Sequence, residues 1–341
     1  MEGQACAEVS TLAGVRQSIK SSALWIAKIA IGVGLCWLLW DRGLLRPGHL
    51  AARFQAHPFL ALAAVALHGA VFWVMGLRWR IVARTADLHL GRFEAFRLTL
   101  ISLGISTCLP GNGAGDLAKG WVVTDRDHPF SKILGTMAID RWSGISGMFL
   151  SWTLWSAVSV VLGGPLSHIG RWTLLVGGLC STACVLAGFW SPQALRLLPH
   201  SEHRWLVRPL AFLRATLATV AKSATDRTIL LKILAISLVA QLMIVGVGML
   251  CVGVLDITVG PAALGVLLPT TMIGNSLPLS PGGVGVGESI GALGFSRLGL
   301  PGWTGSETIL VLRFASASWA IPGLLFWMAW KKRGARQPPS A

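Results

Sequence analysis

Two acids and two arginines with matching spacing are the residues most able to do chemistry in this sequence. Arg141 follows Asp116 by 25 residues, and Arg313 follows Glu288 by 25 residues as well. Arginine makes bidentate contacts to phosphate oxygens, and the first N–H groups of a helix favour anions. We therefore expect the arginines to hold a phosphate group, while the acids orient them or exchange protons. The alternative is that each pair only ties a broken loop to a neighbouring segment.

Each acid ends a glycine-rich stretch that must interrupt a helix. The first reads Pro-Gly-Asn-Gly-Ala-Gly-Asp over 110–116, and the second reads Pro-Gly-Gly-Val-Gly-Val-Gly-Glu over 281–288. Glycine admits positive φ, and proline blocks helix continuation. Both stretches lie among apolar residues, where broken backbone survives only if it is buried in protein or lines a wet cavity. The predicted loop residues are Pro110, Gly111, Gly113, Gly115, Pro281, Gly282, Gly283 and Gly285.

Further polar residues near these stretches are candidates for contact with a lipid headgroup. Lys119 lies three residues past the first acid, Asn112 lies inside the first loop, and Asn275 lies in the apolar approach to the second loop. We expect Asp140 to be a helix-start acid or a partner of the arginine that follows it. His68, alone in an apolar segment, is expected to be a satisfied packing residue.

The sequence offers no pattern for a metal, a cofactor or a catalytic constellation. The histidines and the six cysteines lack the spacing of metal ligands, and no Walker-type phosphate loop is present. A Gly-Ile-Ser-Gly stretch over 144–147 resembles intramembrane serine proteases, but the histidines after it fall in predicted loops. We therefore predict no cofactor, no metal and no catalytic residue, and we expect a protein that is not an enzyme.

The composition is that of an integral membrane protein. The sequence is 53% apolar and only 13% charged, with 16 tryptophans. A formal net charge of +15 could suggest nucleic acid, but the basic residues cluster between the apolar segments. At those places they set topology and meet anionic lipids. We therefore expect membrane lipids as partners and no nucleic acid.

Six apolar stretches are long enough to cross a bilayer core, which takes about 20 residues. They are 22–40, 58–79, 134–163, 171–190, 228–254 and 307–330. Stretches 94–125 and 261–300 hold the glycine-rich loops, and we interpret each as a re-entrant hairpin that enters and leaves on one side. The alternative is that each holds a full short span. The predicted fold is an all-α integral membrane protein with six transmembrane helices and two re-entrant helical hairpins.

Charge predicts the orientation. With both termini in the cytoplasm, the cytoplasmic segments hold 18 lysines and arginines and the outer segments hold 4. This asymmetry agrees with the positive-inside rule. Residues 1–163 and 171–330 then each contain three spans and one hairpin, followed by a basic tail over 331–341. An odd number of crossings per half predicts an inverted-topology repeat, with a shared polar pocket between the hairpins.

Four segments carry a resemblance to a known family. They read Leu-Pro-Gly-x-Gly-x-Gly-Asp over 109–116, Ile-Asp-Arg over 139–141, Leu-Pro-x-x-Pro-Gly-Gly-x-Gly-x-x-Glu over 277–288, and Arg313. This set resembles the lysylphosphatidylglycerol synthase transmembrane-region family of flippase-like membrane proteins, over about residues 20–330. Two departures stand out. The family's soluble aminoacyl-transfer domain has no counterpart here, and Asn112 stands where the family often has a basic residue.

The resemblance implies a lipid-translocating role. Fused members are thought to move an aminoacylated phospholipid, and stand-alone members are associated with polyprenyl-phosphate-linked sugar or hopanoid pathways. We expect a flippase for a phosphate-bearing lipid in the inner membrane of a bacterium. The alternatives are a membrane glycosyl- or acyltransferase that uses Asp116 or Glu288 as a base, and a non-catalytic scaffold for a lipid-modifying partner enzyme.

Overall fold

The computed structural model describes residues 30–31, 33–108, 114–124, 130–163, 167–196, 226–276 and 279–334. Regular structure in these ranges is entirely helical. Four predicted residues of the first glycine-rich loop, Pro110, Gly111, Asn112 and Gly113, lie outside the described residues. Residues 22–29 and 32 of the predicted span 22–40 also lie outside them, and residues 33–41 form a helix, α1.

Eleven helices follow α1 in the described part of the chain. They are α2 (Pro47–Ala56), α3 (Pro58–Thr85), α4 (Arg92–Cys108), α5 (Ala114–Thr124), α6 (Phe130–Val161), α7 (Ser167–Arg196), α8 (Arg227–Val254), α9 (Pro261–Ser276), α10 (Val286–Arg297), α11 (Gly302–Ala317) and α12 (Ala320–Gly334). A 3₁₀ turn over Pro281–Gly283 separates α9 from α10.

Among the described residues, five helical stretches are long and apolar enough to cross a membrane. They are Pro58–Thr85, Ile133–Val161, Ile169–Ala187, Arg227–Val254 and Gly302–Lys331. These stretches coincide with five of the six predicted spans, so the all-helical multi-pass architecture is confirmed. The sixth predicted span, 22–40, is described only in part.

The last span is not the single helix that the apolar run over 307–330 predicts. It begins at Gly302, and the turn at Ser318 and Trp319 divides it into α11 and α12. Pro322 explains the break, because proline has no N–H to give and its ring clashes with the carbonyl four residues earlier. The indole of Trp319 donates a hydrogen bond to the Val65 carbonyl at 2.8 Å, which ties the break to α3.

Each glycine-rich stretch lies between two short helices that pack against each other. α4 and α5 have 17 and 11 residues, and α9 and α10 have 16 and 12, so each is short of the ~20 residues that a span needs. Gly115 permits the close approach in the first pair, because a Cβ there would lie 2.0 Å from the Ser102 carbonyl oxygen.

The packing of the helices relates the two halves of the chain. α3 packs along α8, and Leu60 lies beside Gly253 while Leu67 lies beside Gly246, so these helices run antiparallel. The first short helix of each half packs against the last helix of the other half, α4 against α12 and α9 against α6. A buried apolar cluster that includes Trp79, Leu98, Ile101, Ile133 and Met137 holds α3, α4, α5 and α6 together. Lys119 of α5 lies against Trp79 of this cluster.

Candidate functional site

The first acid and its arginine form an ion pair, as their spacing predicts. Arg141 Nε donates to Asp116 Oδ2 at 2.5 Å, and Ser102 of α4 donates to the other carboxylate oxygen at 3.1 Å. Asp116 lies in the first turn of α5, where a negative charge is favourable. The side chain of Arg141 is 54% exposed although it lies well inside α6. This pair therefore borders open space.

The second pair also forms, but its surroundings are different. Arg313 Nε donates to Glu288 Oε1 at 2.5 Å, and its two terminal nitrogens donate to the carbonyl oxygens of Gly282 and Gly283 at 2.8 and 2.6 Å. Asn275 accepts a further hydrogen bond at 3.3 Å. Glu288 is 2% exposed. The guanidinium thus binds the second loop itself, which is the purely structural role considered above.

Glu288 also shapes the backbone at the start of its own helix. Its Oε2 accepts a hydrogen bond from the Gly285 N–H at 2.8 Å, as in a capping box. Gly282, Gly283 and Gly285 all have positive φ, at 61°, 69° and 83°. The predicted broken backbone is therefore present in the second loop, and the charged pair stabilises it.

A cavity of about 600 Å³ lies beside the first pair. α3, α4, α5, α6, α8 and α9 contribute its walls, so both halves of the chain form it. The charged residues that line it are Arg78, Lys119, Arg141, Asp116 and Asp140. They carry three positive and two negative formal charges. A volume of several hundred Å³ is typical of small-molecule and cofactor sites.

Arg78, Asp140 and Lys119 form a buried cluster at this cavity. Arg78 Nε donates to Asp140 Oδ1 at 2.9 Å, and Arg78 Nη1 donates to Ser237 of α8 at 3.0 Å. Lys119 Nζ lies 3.8 Å from Asp140 Oδ2 and 3.6 Å from the centre of the Trp79 ring. Lys119 is only 3% exposed. The cluster joins α3, α5, α6 and α8.

The cluster corrects the expectation for Asp140 and adds Arg78 to the site. Asp140 does not mark the start of its helix, because α6 begins at Phe130, and its ion-pair partners are Arg78 and Lys119. The sequence does not distinguish Arg78 from a topology signal, because a basic residue at the end of a predicted span usually has that role. No local pattern reveals a partner that lies 62 residues away.

This cavity does not join the two pairs, as the expected shared pocket would. Asp116 and Arg141 line it, whereas Glu288, Arg313 and Asn275 do not. The second half contributes Met272 and Ser276 of α9 and several residues of α8 instead. The reason is geometric: the carbonyls of Gly282 and Gly283 surround Arg313, so its pair faces its own loop.

His68 is buried, as a packing residue should be, but it is not satisfied. It is 7% exposed, its ring lies 5.0 Å from that of Phe72, and Nδ1 has no hydrogen-bond partner among the described residues. It also lines the cavity. An unpaired buried polar atom costs about 1–3 kcal/mol, so its presence calls for an explanation.

A separate network of polar side chains links α2 to the second half of the protein. His49 Nδ1 lies 2.8 Å from Glu307 Oε2, and Arg53 contacts both His49 and Asp256. His57 Nε2 lies 3.0 Å from the same Asp256 oxygen. Glu307 is fully buried, and its second oxygen has no hydrogen-bond partner within the described ranges. No local sequence pattern reveals this network, because its members are up to 258 residues apart.

The fold and these buried charges define an integral membrane protein with a polar cavity among its helices. Residues 25–323 match the profile of the lysylphosphatidylglycerol synthase transmembrane region. The chain belongs to this family, whose members are membrane regions of proteins that handle lipids. Searches of curated proteins and of solved structures found no significant match.

Proposed function

We propose that the chain translocates a phosphate-bearing lipid across the bacterial inner membrane. The observation that carries the proposal is the cavity beside α5, whose lining charges include one more cation than anions. A buried net positive charge in a membrane protein favours an anionic ligand, because charged groups at membrane depth pair or line a pathway. The lipid phosphate would enter this cavity while the acyl or prenyl tails stay in the bilayer.

Lys119 is the strongest single reason to place an anion there. Its ammonium group is deeply buried, and its nearest carboxylate oxygen, at 3.8 Å, lies beyond hydrogen-bond distance. No acceptor lies within hydrogen-bond distance of Nζ among the described residues. An ammonium has three N–H donors to satisfy. A phosphate oxygen in the cavity would accept from it, with Arg141 opposite as a second cationic contact.

The proposal includes an inverted internal repeat. α3, α4, α5 and α6 correspond in order and length to α8, α9, α10 and the divided α11–α12 span. The corresponding helices α3 and α8 run antiparallel. The first short helix of each half packs against the last span of the other half, α4 against α12 and α9 against α6. This is the arrangement expected if the two short-helix pairs are re-entrant hairpins that enter from opposite faces. Both termini would then be cytoplasmic.

Within this repeat the two acid–arginine pairs have different tasks. The pair of Glu288 and Arg313 clamps the second loop, because protein acceptors surround that guanidinium. The pair of Asp116 and Arg141 borders the cavity, so Asp116 orients Arg141 toward the passing headgroup. Substrate contact is therefore assigned to Arg141, Lys119 and Arg78, while Asn275 supports the clamp.

The test is lipid translocation by purified protein in liposomes. A chain-labelled fluorescent phosphatidylglycerol is placed in both leaflets, and dithionite then quenches the outer leaflet. Arg141→Ala and Lys119→Met should each lower the translocation rate about tenfold or more, the effect of losing a hydrogen bond to a charged group. Arg84→Ala and Lys232→Met are matched controls, because both side chains are exposed outside the cavity. They should keep the wild-type rate.

Two results would refute the proposal. One is a normal rate in both cavity variants. The other is equally fast, protein-dependent transfer of a labelled glucosylceramide, which has no phosphate and crosses a protein-free bilayer slowly, because the cationic cavity would then select nothing. Turnover of the added lipid into a new chemical species, seen by mass spectrometry, would favour a membrane transferase instead.

A further inference from the structure

The cavity has a second polar level, away from its charges. His68 and Arg78 both line it from α3, and they are ten residues apart in the sequence. An α-helix rises 1.5 Å per residue, so their backbones are separated by about 15 Å along the helix axis. The cavity therefore extends from the charged level at Arg78 toward the Pro58 end of α3.

α8 provides a polar group between these levels. Ser237 marks the charged level, because it accepts a hydrogen bond from Arg78. Gln241 lies one turn further along α8, about 6 Å on, in the direction of His68 because α3 and α8 are antiparallel. Gln241 also lines the cavity. Polar side chains thus continue up one wall beyond the charged cluster.

Both side chains have unused hydrogen-bonding capacity. Nδ1 of His68 is buried without a partner among the described residues, and no hydrogen bond of the Gln241 side chain is found in the same part of the chain. Imidazole and carboxamide groups can each donate and accept. A ligand group that satisfies them would remove the cost of leaving these polar groups unpaired.

The surroundings identify the kind of ligand group. Apolar residues of the cavity lining lie within one turn of His68 and Gln241 on the same helices: Val71 and Phe72 on α3, and Ile244 on α8. The only acidic residues that line the cavity within the described part of the chain, Asp116 and Asp140, are at the charged level and are already paired with arginine or lysine. A cationic headgroup extension would therefore find no counter-charge at the second level. An uncharged group with hydroxyls would find both donors and acceptors.

We propose that His68 and Gln241 form a second headgroup subsite that recognises uncharged hydroxyl groups attached beyond the lipid phosphate. This inference rests on the proposed function, since it assumes that the phosphate occupies the charged level. It narrows the substrate class to phosphate lipids with a neutral, hydroxyl-bearing headgroup. Lipids with an aminoacyl or other cationic extension are disfavoured.

Binding to purified protein in detergent tests the subsite without any need for translocation. The probes are short-chain phosphatidic acid, phosphatidylinositol and lysyl-phosphatidylglycerol, and dissociation constants are read from native mass spectrometry titrations. Wild-type protein should bind phosphatidylinositol about tenfold more tightly than phosphatidic acid, which corresponds to one or two hydrogen bonds. It should bind the lysylated lipid more weakly than phosphatidylinositol.

The variants are His68→Phe and Gln241→Leu, which preserve size and remove the polar atoms. Each should reduce the preference for phosphatidylinositol to about twofold or less and leave phosphatidic acid binding unchanged. Two separate variants keep the test valid if one fails to fold. An unchanged preference in the folded variants, or tighter wild-type binding of the lysylated lipid, would overturn the subsite.

Lys119→Met separates this inference from the proposed function. If Lys119→Met weakens the binding of all three lipids while His68→Phe and Gln241→Leu leave the preference for phosphatidylinositol unchanged, the charged site stands and the second subsite is wrong. If Lys119→Met leaves all three affinities unchanged, the phosphate site itself is wrong, and the subsite fails with it.

Discussion

The ammonium group of Lys119 lies 3.6 Å from the centre of the Trp79 ring, and both residues are almost completely buried. Trp79 belongs to the apolar cluster that holds the first short-helix pair, while Lys119 faces the cavity. The aromatic ring stabilises the cation on one side without consuming any of its N–H donors. The contact thus favours the ammonium form of Lys119 and leaves its N–H donors available to an anionic ligand.

A double-mutant cycle should measure this contact. Trp79→Leu, Lys119→Met and the double variant are compared with wild type by chemical unfolding in detergent. We expect a coupling energy of about 0.5–2 kcal/mol, because a desolvated cation–π contact is disrupted in either single variant. Trp79→Phe is the control that retains a ring. Strictly additive effects would show that the two side chains do not stabilise each other.

Arg313→Ala and Arg141→Ala should differ in their effects on stability. Arg313→Ala leaves the buried Glu288 carboxylate without its cation and removes the hydrogen bonds that two loop carbonyls accept. It should therefore lower the free energy of unfolding by about 3–5 kcal/mol. Arg141→Ala removes a half-exposed side chain and should cost under about 1 kcal/mol. The measurement is the free energy of unfolding of each variant. Glu288→Gln combined with Arg313→Ala should recover part of the loss, and equal costs for the two arginines would contradict the assigned roles.

His68→Phe should make the protein more stable while impairing recognition. The substitution removes an unpaired buried nitrogen and keeps an aromatic ring beside Phe72, so unfolding should become harder by about 1 kcal/mol. Thermal unfolding of the ligand-free protein provides the measurement. A clear loss of stability would mean that Nδ1 has a partner in the folded protein.

Gly115→Ala should disrupt the first short-helix pair. The added methyl group would lie 2.0 Å from the Ser102 carbonyl oxygen and 2.2 Å from the Ser106 hydroxyl, so α4 and α5 must separate. We expect a loss of about 2 kcal/mol or more together with loss of translocation. Gly178→Ala is the matched control, because a Cβ there meets nothing within 4 Å. It should be neutral or stabilising by up to about 1 kcal/mol, and the same cost for both glycines would argue against close packing at Gly115.

Features that depend on residues close together in the sequence were predicted, whereas contacts between distant residues were not. The equal spacing of Asp116 with Arg141 and of Glu288 with Arg313 predicted both ion pairs, because each pair closes within one helix–loop–helix unit. Proline and glycine marked the interruption of the second short-helix pair, since their backbone preferences act locally. Hydropathy located five spans for the same reason.

The cavity could not be predicted in this way. Its cluster depends on Arg78 meeting Asp140 and Ser237, which is decided by how α3, α6 and α8 pack. Equal motifs also suggested equal roles for the two pairs. Their difference arises from which acceptors surround each guanidinium, and only the packed structure reveals that.

The clamp around Arg313 is built from one short stretch of chain. All of its partners lie between Asn275 and Arg313, so it can close as soon as that stretch has entered the bilayer. Arg78, Asp140 and Ser237 span both halves and meet only after those halves dock. During biosynthesis the Arg313 clamp can therefore form from local sequence alone. The binding cavity forms only when both halves have inserted and packed together. Either half of the chain expressed alone would therefore lack the cavity.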